Sequence, residues 1–142
     1  MRHSIHALIC AGLLCGLATH AFAETQVRVV ERAAKGPAGR DIRVGVYLNV
    51  LPDCSSGPLP SIRLSAEPRN GKVVVKNAKV TATNYKQCLA LQVPAFVAIY
   101  RSRPDFGGVD AMTIEVKYPN GRTEIQNIKV LVGSGAKPER AI

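Results

Sequence analysis

The chain has 142 residues, with 19 Lys or Arg, 10 Asp or Glu, three His, four Cys and no Trp. Residues 1–23 read as a cleavable export signal: Arg2 gives the basic start, Ala7 to Leu17 the apolar run, and Ala21-Phe22-Ala23 the small residues ahead of a cut before Glu24. His3, His6, His20, Cys10 and Cys15 all lie in that segment. The mature remainder, about 119 residues and one domain, therefore lacks His, which excludes His-based catalysis, His-ligated zinc and four-cysteine metal clusters.

The apolar run of the signal falls short of the roughly 20 residues a spanning helix needs, and no later stretch is longer. The expectation is a periplasmic or secreted protein with no transmembrane segment after processing. Loss of Arg2 leaves 18 basic residues against 10 acidic, a mature charge of +8. A positive field draws anionic partners; outside the cytoplasm these are acidic polysaccharide, lipid surfaces or acidic proteins, and the compartment excludes nucleic acid. The bases are dispersed, with Arg28, Arg32, Lys35, Arg40 and Arg43 spread over the first strands. Cys54 and Cys88 are the only cysteines left, and an even count in an oxidising compartment implies a disulfide. Without C-x-x-C spacing it reads as a structural staple.

In chain order, Val27 and Val29 open a first strand, and Ala34 to Gly39 reads as a loop. Ile42, Val44, Val46, Leu48 and Val50 alternate with polar or small residues, which predicts a strand with those five inward. Pro52 to Pro58 is a loop, and Ile62, Leu64 and Ala66 mark a short strand. Pro68-Arg69-Asn70-Gly71 is a turn signal, read here as proline fixing φ and Asn-Gly tolerating positive φ. Over Lys72 to Thr83 the apolar parity changes near Asn77, which predicts a bulge or tight turn. Leu89, Leu91 and Val93 alternate, and Pro94 is expected to limit their strand. Met112, Ile114, Val116 and Tyr118 form a strand, Pro119-Asn120-Gly121 a hairpin turn, and Ile128, Val130 and Val132 the return strand. Ile125 is out of phase with these, which predicts a bulge near Gln126-Asn127. Residues 133–142 read as a flexible tail. About seven to eight strands without a helical period predict an all-β sandwich over residues 24–132.

Pro68-Arg69-Asn70-Gly71-Lys72-Val73, Tyr100, Pro104 to Asp110, Asn120-Gly121 and the closing Val130 and Val132 resemble the cadherin-like, immunoglobulin-like repeats of bacterial surface proteins. The likeness covers about residues 61–132 and rests on a Pro-x-x-Gly-x-Val turn and strand and an aromatic-x-Gly-x-Asp segment (Phe106, Gly108, Asp110). It implies a single immunoglobulin-like sandwich that binds or spaces and does not catalyse. The matched residues Pro68, Gly71, Tyr100, Phe106, Gly108 and Asp110 are given structural roles. Phe106 is a plug at a corner, and Gly107 and Gly108 allow a bend whose N–H groups Asp110 accepts. The Tyr100 hydroxyl is expected on a loop carbonyl.

No activated nucleophile, metal cage or phosphate loop is legible, and no cofactor is implied; Glu115 and Glu124 are both expected to point outward. The chain is therefore expected not to be an enzyme. The leading expectation is a binding or accessory module for another envelope or secreted protein, engaged through loops or a sheet edge. The second is an electrostatic binder of anionic glycan or lipid, with Arg101, Arg103 and Tyr100 as the local contact. A secreted inhibitor or small enzyme is the third.

Overall fold

A computed structural model describes residues 25–83, 87–88 and 91–133. The segment read as an export signal, Leu89 and the expected tail from residue 134 lie outside these. The described residues form seven strands and no helix: β1 (Val27–Pro37), β2 (Asp41–Tyr47), β3 (Ser61–Ala66), β4 (Gly71–Ala82), β5 (Leu91–Ser102), β6 (Gly108–Lys117) and β7 (Thr123–Gly133). They make two sheets, a four-stranded one ordered β1-β7-β6-β3 and a three-stranded one ordered β2-β5-β4. The pairing of β1 with β7 is parallel; the others are antiparallel. The fold is thus the all-β sandwich expected from the alternating pattern.

Between the sheets lies the main core: Ile42, Val44 and Tyr47 from β2, Ala98 and Tyr100 from β5, Met112, Ile114 and Val116 from β6, and Ile128, Val130 and Val132 from β7. Phe106 packs against it from the loop before β6. The β6–β7 hairpin turns at Asn120-Gly121 with Gly121 at φ 86°, and the Asn120 side chain accepts the Arg122 N–H.

Several local expectations are corrected. β1 runs on to Pro37 through the segment read as a loop, and the chain turns only at residues 38–40, with Gly39 at φ 67°. In β2 a bulge between Arg43 and Gly45 shifts the phase, so Tyr47 is buried and Val46 is exposed. The Tyr47 ring folds back over Gly45, where any Cβ would collide with the phenol. β3 carries its own bulge between Leu64 and Ala66, which leaves Ala66 exposed. Pro94 does not end its strand: β2 pairs with β5 only as far as Phe96, so the missing N–H of Pro94 faces no partner strand. β7 pairs with β6 without a break from Thr123 to Val132, so there is no bulge at Gln126-Asn127. The polar residues Glu124 and Gln126 simply occupy inward positions of β7, both buried. Glu124 is therefore not the outward carboxylate expected of it.

β4 also lacks the predicted bulge; its register against β5 is continuous from Gly71 to Ala82. The change of parity near Asn77 has another cause. Residues directly opposite in an antiparallel pair share a face, and Val73 opposes Tyr100 while Val80 opposes Val93. Val73 and Tyr100 belong to the core between the sheets. Val80, Ala82, Leu91 and Val93 lie on the opposite, outer face and build a second small core with Leu48, Val50, Cys54 and Cys88. One ribbon thus buries its first half inward and its second half outward.

The cover of that second core is the segment between β2 and β3. It is pinned by an isolated bridge from Val50 to Ser56, by the turn in which Cys54 N–H donates to Leu51 O at 2.9 Å, and by the disulfide from Cys54 to Cys88. The disulfide expected from the cysteine count is present.

Candidate functional site

At one end of the sandwich a buried carboxylate ties three elements together. Asp110, on β6, is only 3% exposed. Its Oδ1 accepts the Arg69 N–H at 3.0 Å and the Ala111 N–H at 3.0 Å. Its Oδ2 accepts the Asn70 N–H at 2.9 Å and the Tyr100 hydroxyl at 2.9 Å. Burial pushes this carboxyl up, but the Asn70 N–H, the Tyr100 hydroxyl and the N–H groups of Arg69 and Ala111 outweigh it and hold it below the ordinary Asp range. Burial first, then the hydrogen bond to Asp110 and the charge of that carboxylate, raise the Tyr100 phenol.

This differs from the sequence reading in two ways. The N–H groups that Asp110 collects include those of the Pro68–Gly71 turn, 40 and 41 residues away, and none from the bend at Phe106–Gly108. The Tyr100 hydroxyl meets a carboxylate and not a loop carbonyl. Gly71 also has a different reason to be glycine. It is not among the positive-φ residues; the Tyr100 ring and the Arg101 carbonyl lie where its Cβ would be. Gly108 does need glycine for conformation, at φ 133°. Phe106 is half-buried against the core.

The residues expected to grip an anion separate. Tyr100 faces inward with no exposed surface, so it shares no surface with Arg101. Arg101, on the opposite face of β5, is bound to Asp41 at 2.7 Å. Arg103 lies beyond the strand, 3.5 Å from Asp105 and 3.3 Å from the Asn70 amide oxygen.

A second buried polar chain crosses the core: Tyr47 Oη donates to Gln126 Oε1 at 2.8 Å, and Gln126 Nε2 donates to Glu124 Oε2 at 2.9 Å. Burial is the main reason the Tyr47 phenol is pushed up to about 12. Every buried polar side-chain atom among the described residues has a partner. The two polar clusters are thus internally satisfied and bind the sandwich together.

What remains unsatisfied is on the outside. The open edges of the two sheets are β1 and β3, and β2 and β4. β2 and β3 are short and bulged, and β1 lies against β2 along one side of the sandwich. β4 is twelve residues long, unbulged and free of proline, and among the described residues no strand pairs with its other side. The ladder phase follows from the Arg103 N–H donating to Asn70 O at 2.9 Å. Counting the antiparallel alternation from there, the even residues of β4 bond to β5, while Val73, Val75, Asn77, Lys79 and Thr81 turn their N–H and C=O groups to the open side.

The outer face beside this edge is bare over its first half. It carries Arg43, Lys72, Lys76 and Arg101 around Val46, Val74 and Ile99, with Asp41 as its acid. Val74 is 51% exposed and Val75, on the inner side of the same edge, 42%. The Asp41 carboxyl sits below its ordinary range through its hydrogen bond from Arg101, with Lys76 adding to the effect. No group of three or more His, Cys, Asp or Glu among the described residues is arranged to hold a metal. The comparisons add no family: neither a protein-family model nor a curated protein matches this chain.

Proposed function

We propose that the chain is an exported, non-enzymatic immunoglobulin-like module that binds another envelope or secreted protein through the open edge of β4. The observation that carries this is the edge itself: a long, unbulged, proline-free strand with outward main-chain groups and exposed valines, of the kind that accepts an added strand. The strand order supports the immunoglobulin-like part of the reading. Numbered along the chain, the seven-strand immunoglobulin arrangement sets 1-2-5-4 against 3-6-7; here 2-5-4 faces 3-6-7-1. Relocation of the first strand, from beside the second to beside the seventh, converts one into the other.

Asn77→Pro tests the edge. Asn77 is exposed and turns its N–H outward, so proline there removes a donor from the edge and none from the β4–β5 ladder. Capture of a partner from envelope extract should weaken about tenfold, the size of one or two main-chain hydrogen bonds. Equal binding by wild type and the Asn77→Pro protein, both shown folded by thermal melting, would refute this use of β4.

The bare basic face favours a second reading, binding of anionic glycan or lipid. It predicts salt-sensitive retention on heparin resin beyond that of an equally basic control protein.

A further inference from the structure

We infer that the occupant of the β4 edge is an extended acidic segment of a partner protein, with the pattern acidic–aliphatic–aliphatic–aliphatic–acidic. This rests on the edge-binding reading above and adds to it the chemistry of the partner. Along β4 the outer face presents Lys72, Val74 and Lys76 in that order, and the inner side presents Val73 and Val75 between them. An added strand sets one residue directly opposite each of these, on the same face. Acidic side chains opposite Lys72 and Lys76 form cross-strand ion pairs, and an aliphatic one opposite Val74 covers an exposed valine. Two further aliphatic residues opposite Val73 and Val75 extend the inner core past the edge. The pattern is symmetric about Val74, so it holds for a parallel or an antiparallel partner.

The same lysines argue against a second copy of this chain as the occupant. Antiparallel pairing of two β4 strands centred on Val74 sets Lys72 of each against Lys76 of the other, and parallel in-register pairing sets each lysine against itself. Like charges directly opposite are destabilising, and lysines on an open edge blunt self-association. The surrounding charge favours the acidic choice as well. Beyond Lys72 and Lys76 the face continues with Arg43 and Arg101, and its one acid, Asp41, is already engaged by Arg101.

The test uses two synthetic peptides, with central sequences Glu-Val-Val-Val-Glu and Lys-Val-Val-Val-Lys. Each is titrated into the disulfide-bonded mature protein and into a Lys72→Glu/Lys76→Glu variant, followed by amide NMR. The wild type should bind the acidic peptide at least about tenfold more tightly than the basic one, and the variant should reverse that order. Shifts and new hydrogen-exchange protection should map to Val73, Val75 and Asn77. A Lys72→Gln/Lys76→Gln protein should lose the preference without reversing it. A preference that ignores the swap, or shifts that map away from β4, would overturn the inference. So would heparin retention that falls with the swap in a protein that binds neither peptide, which assigns the basic face to polyanions. If Asn77→Pro weakens partner capture while peptide preference ignores the swap, the edge reading stands and the acidic pattern alone fails. If capture is also indifferent to Asn77→Pro, both fail.

Discussion

Replacing Asp110 by alanine should destabilise the fold by about 3–5 kcal/mol, measured by denaturant unfolding, because it strands several buried donors at once. The N–H groups of Arg69, Asn70 and Ala111 and the hydroxyl of Tyr100 all converge on this carboxylate. Donors left unmet out of water each carry a desolvation penalty, and the penalties overlap within one network. Tyr100→Phe removes one donor and leaves the carboxylate its three N–H groups, so it should cost less, about 1–2 kcal/mol. In the double variant Asp110→Ala/Tyr100→Phe, the loss should fall short of the sum of the two single losses. Equal losses for Asp110→Ala and for an exposed control such as Asp105→Ala would show that the knot does not hold the turn.

The same carboxylate gives a pH dependence. Its folded pKa lies below the ordinary 3.8, so the folded state holds its proton less tightly than the unfolded state does. The stabilisation is fully present above the unfolded value and is lost as pH falls through the folded one. Wild type should therefore lose stability below about pH 4 more steeply than Asp110→Ala, which has no such group to titrate. Parallel acid limbs for the two proteins would contradict the assignment.

What the sequence made legible, and what it hid, follows from range. The β6–β7 hairpin was readable because its signals are local: alternating Met112, Ile114 and Val116, an Asn-Gly turn, then Ile128, Val130 and Val132. The disulfide was readable because only two of the four cysteines, Cys54 and Cys88, lie outside the segment read as an export signal. The role of Asp110 was hidden because its partners at Arg69 and Asn70 are some forty residues away, and pattern reading offers only near neighbours. Inward polar residues misled for a related reason. Period-two counting takes polarity as a sign of exposure, and Glu124 and Gln126 violate that because Tyr47 and each other satisfy them inside. The parity change in β4 is real, but its cause is not a bulge. A single strand serving two cores on opposite faces leaves the same trace in sequence as a bulge. Alternation alone separates two of the residues expected to contact an anion: neighbours in a strand point to opposite faces, so Tyr100 and Arg101 share no surface. The aliphatic-and-lysine edge of β4 was visible as a run of β-branched residues, but its being an edge is a property of strand order.

Breaking the disulfide, by reduction or as Cys54→Ser/Cys88→Ser, should cost roughly 3–4 kcal/mol in the chain-entropy account of a loop of this length. The sequence separation is 34 residues, which is long enough for the released loop entropy to be large. The loss should also be local in character. The disulfide clamps the 48–60 segment over Val80, Ala82, Leu91 and Val93, and this second core is separate from the one between the sheets. Small clusters under a long loop open before the main core does. Hydrogen exchange in the reduced protein should therefore rise first at Val80 and Val93, while Ile114, Val116, Ile128 and Val130 keep their protection until global unfolding. The first half of β4 lies outside the clamp, with its inner face anchored by Tyr100 and its turn by Asp110. Peptide binding at Val73–Asn77 should accordingly survive reduction at temperatures below the new melting point. Uniform loss of protection across both cores would show that the two halves of the ribbon unfold as one unit. Loss of peptide binding in reduced but folded protein would show that the clamp reaches the open edge.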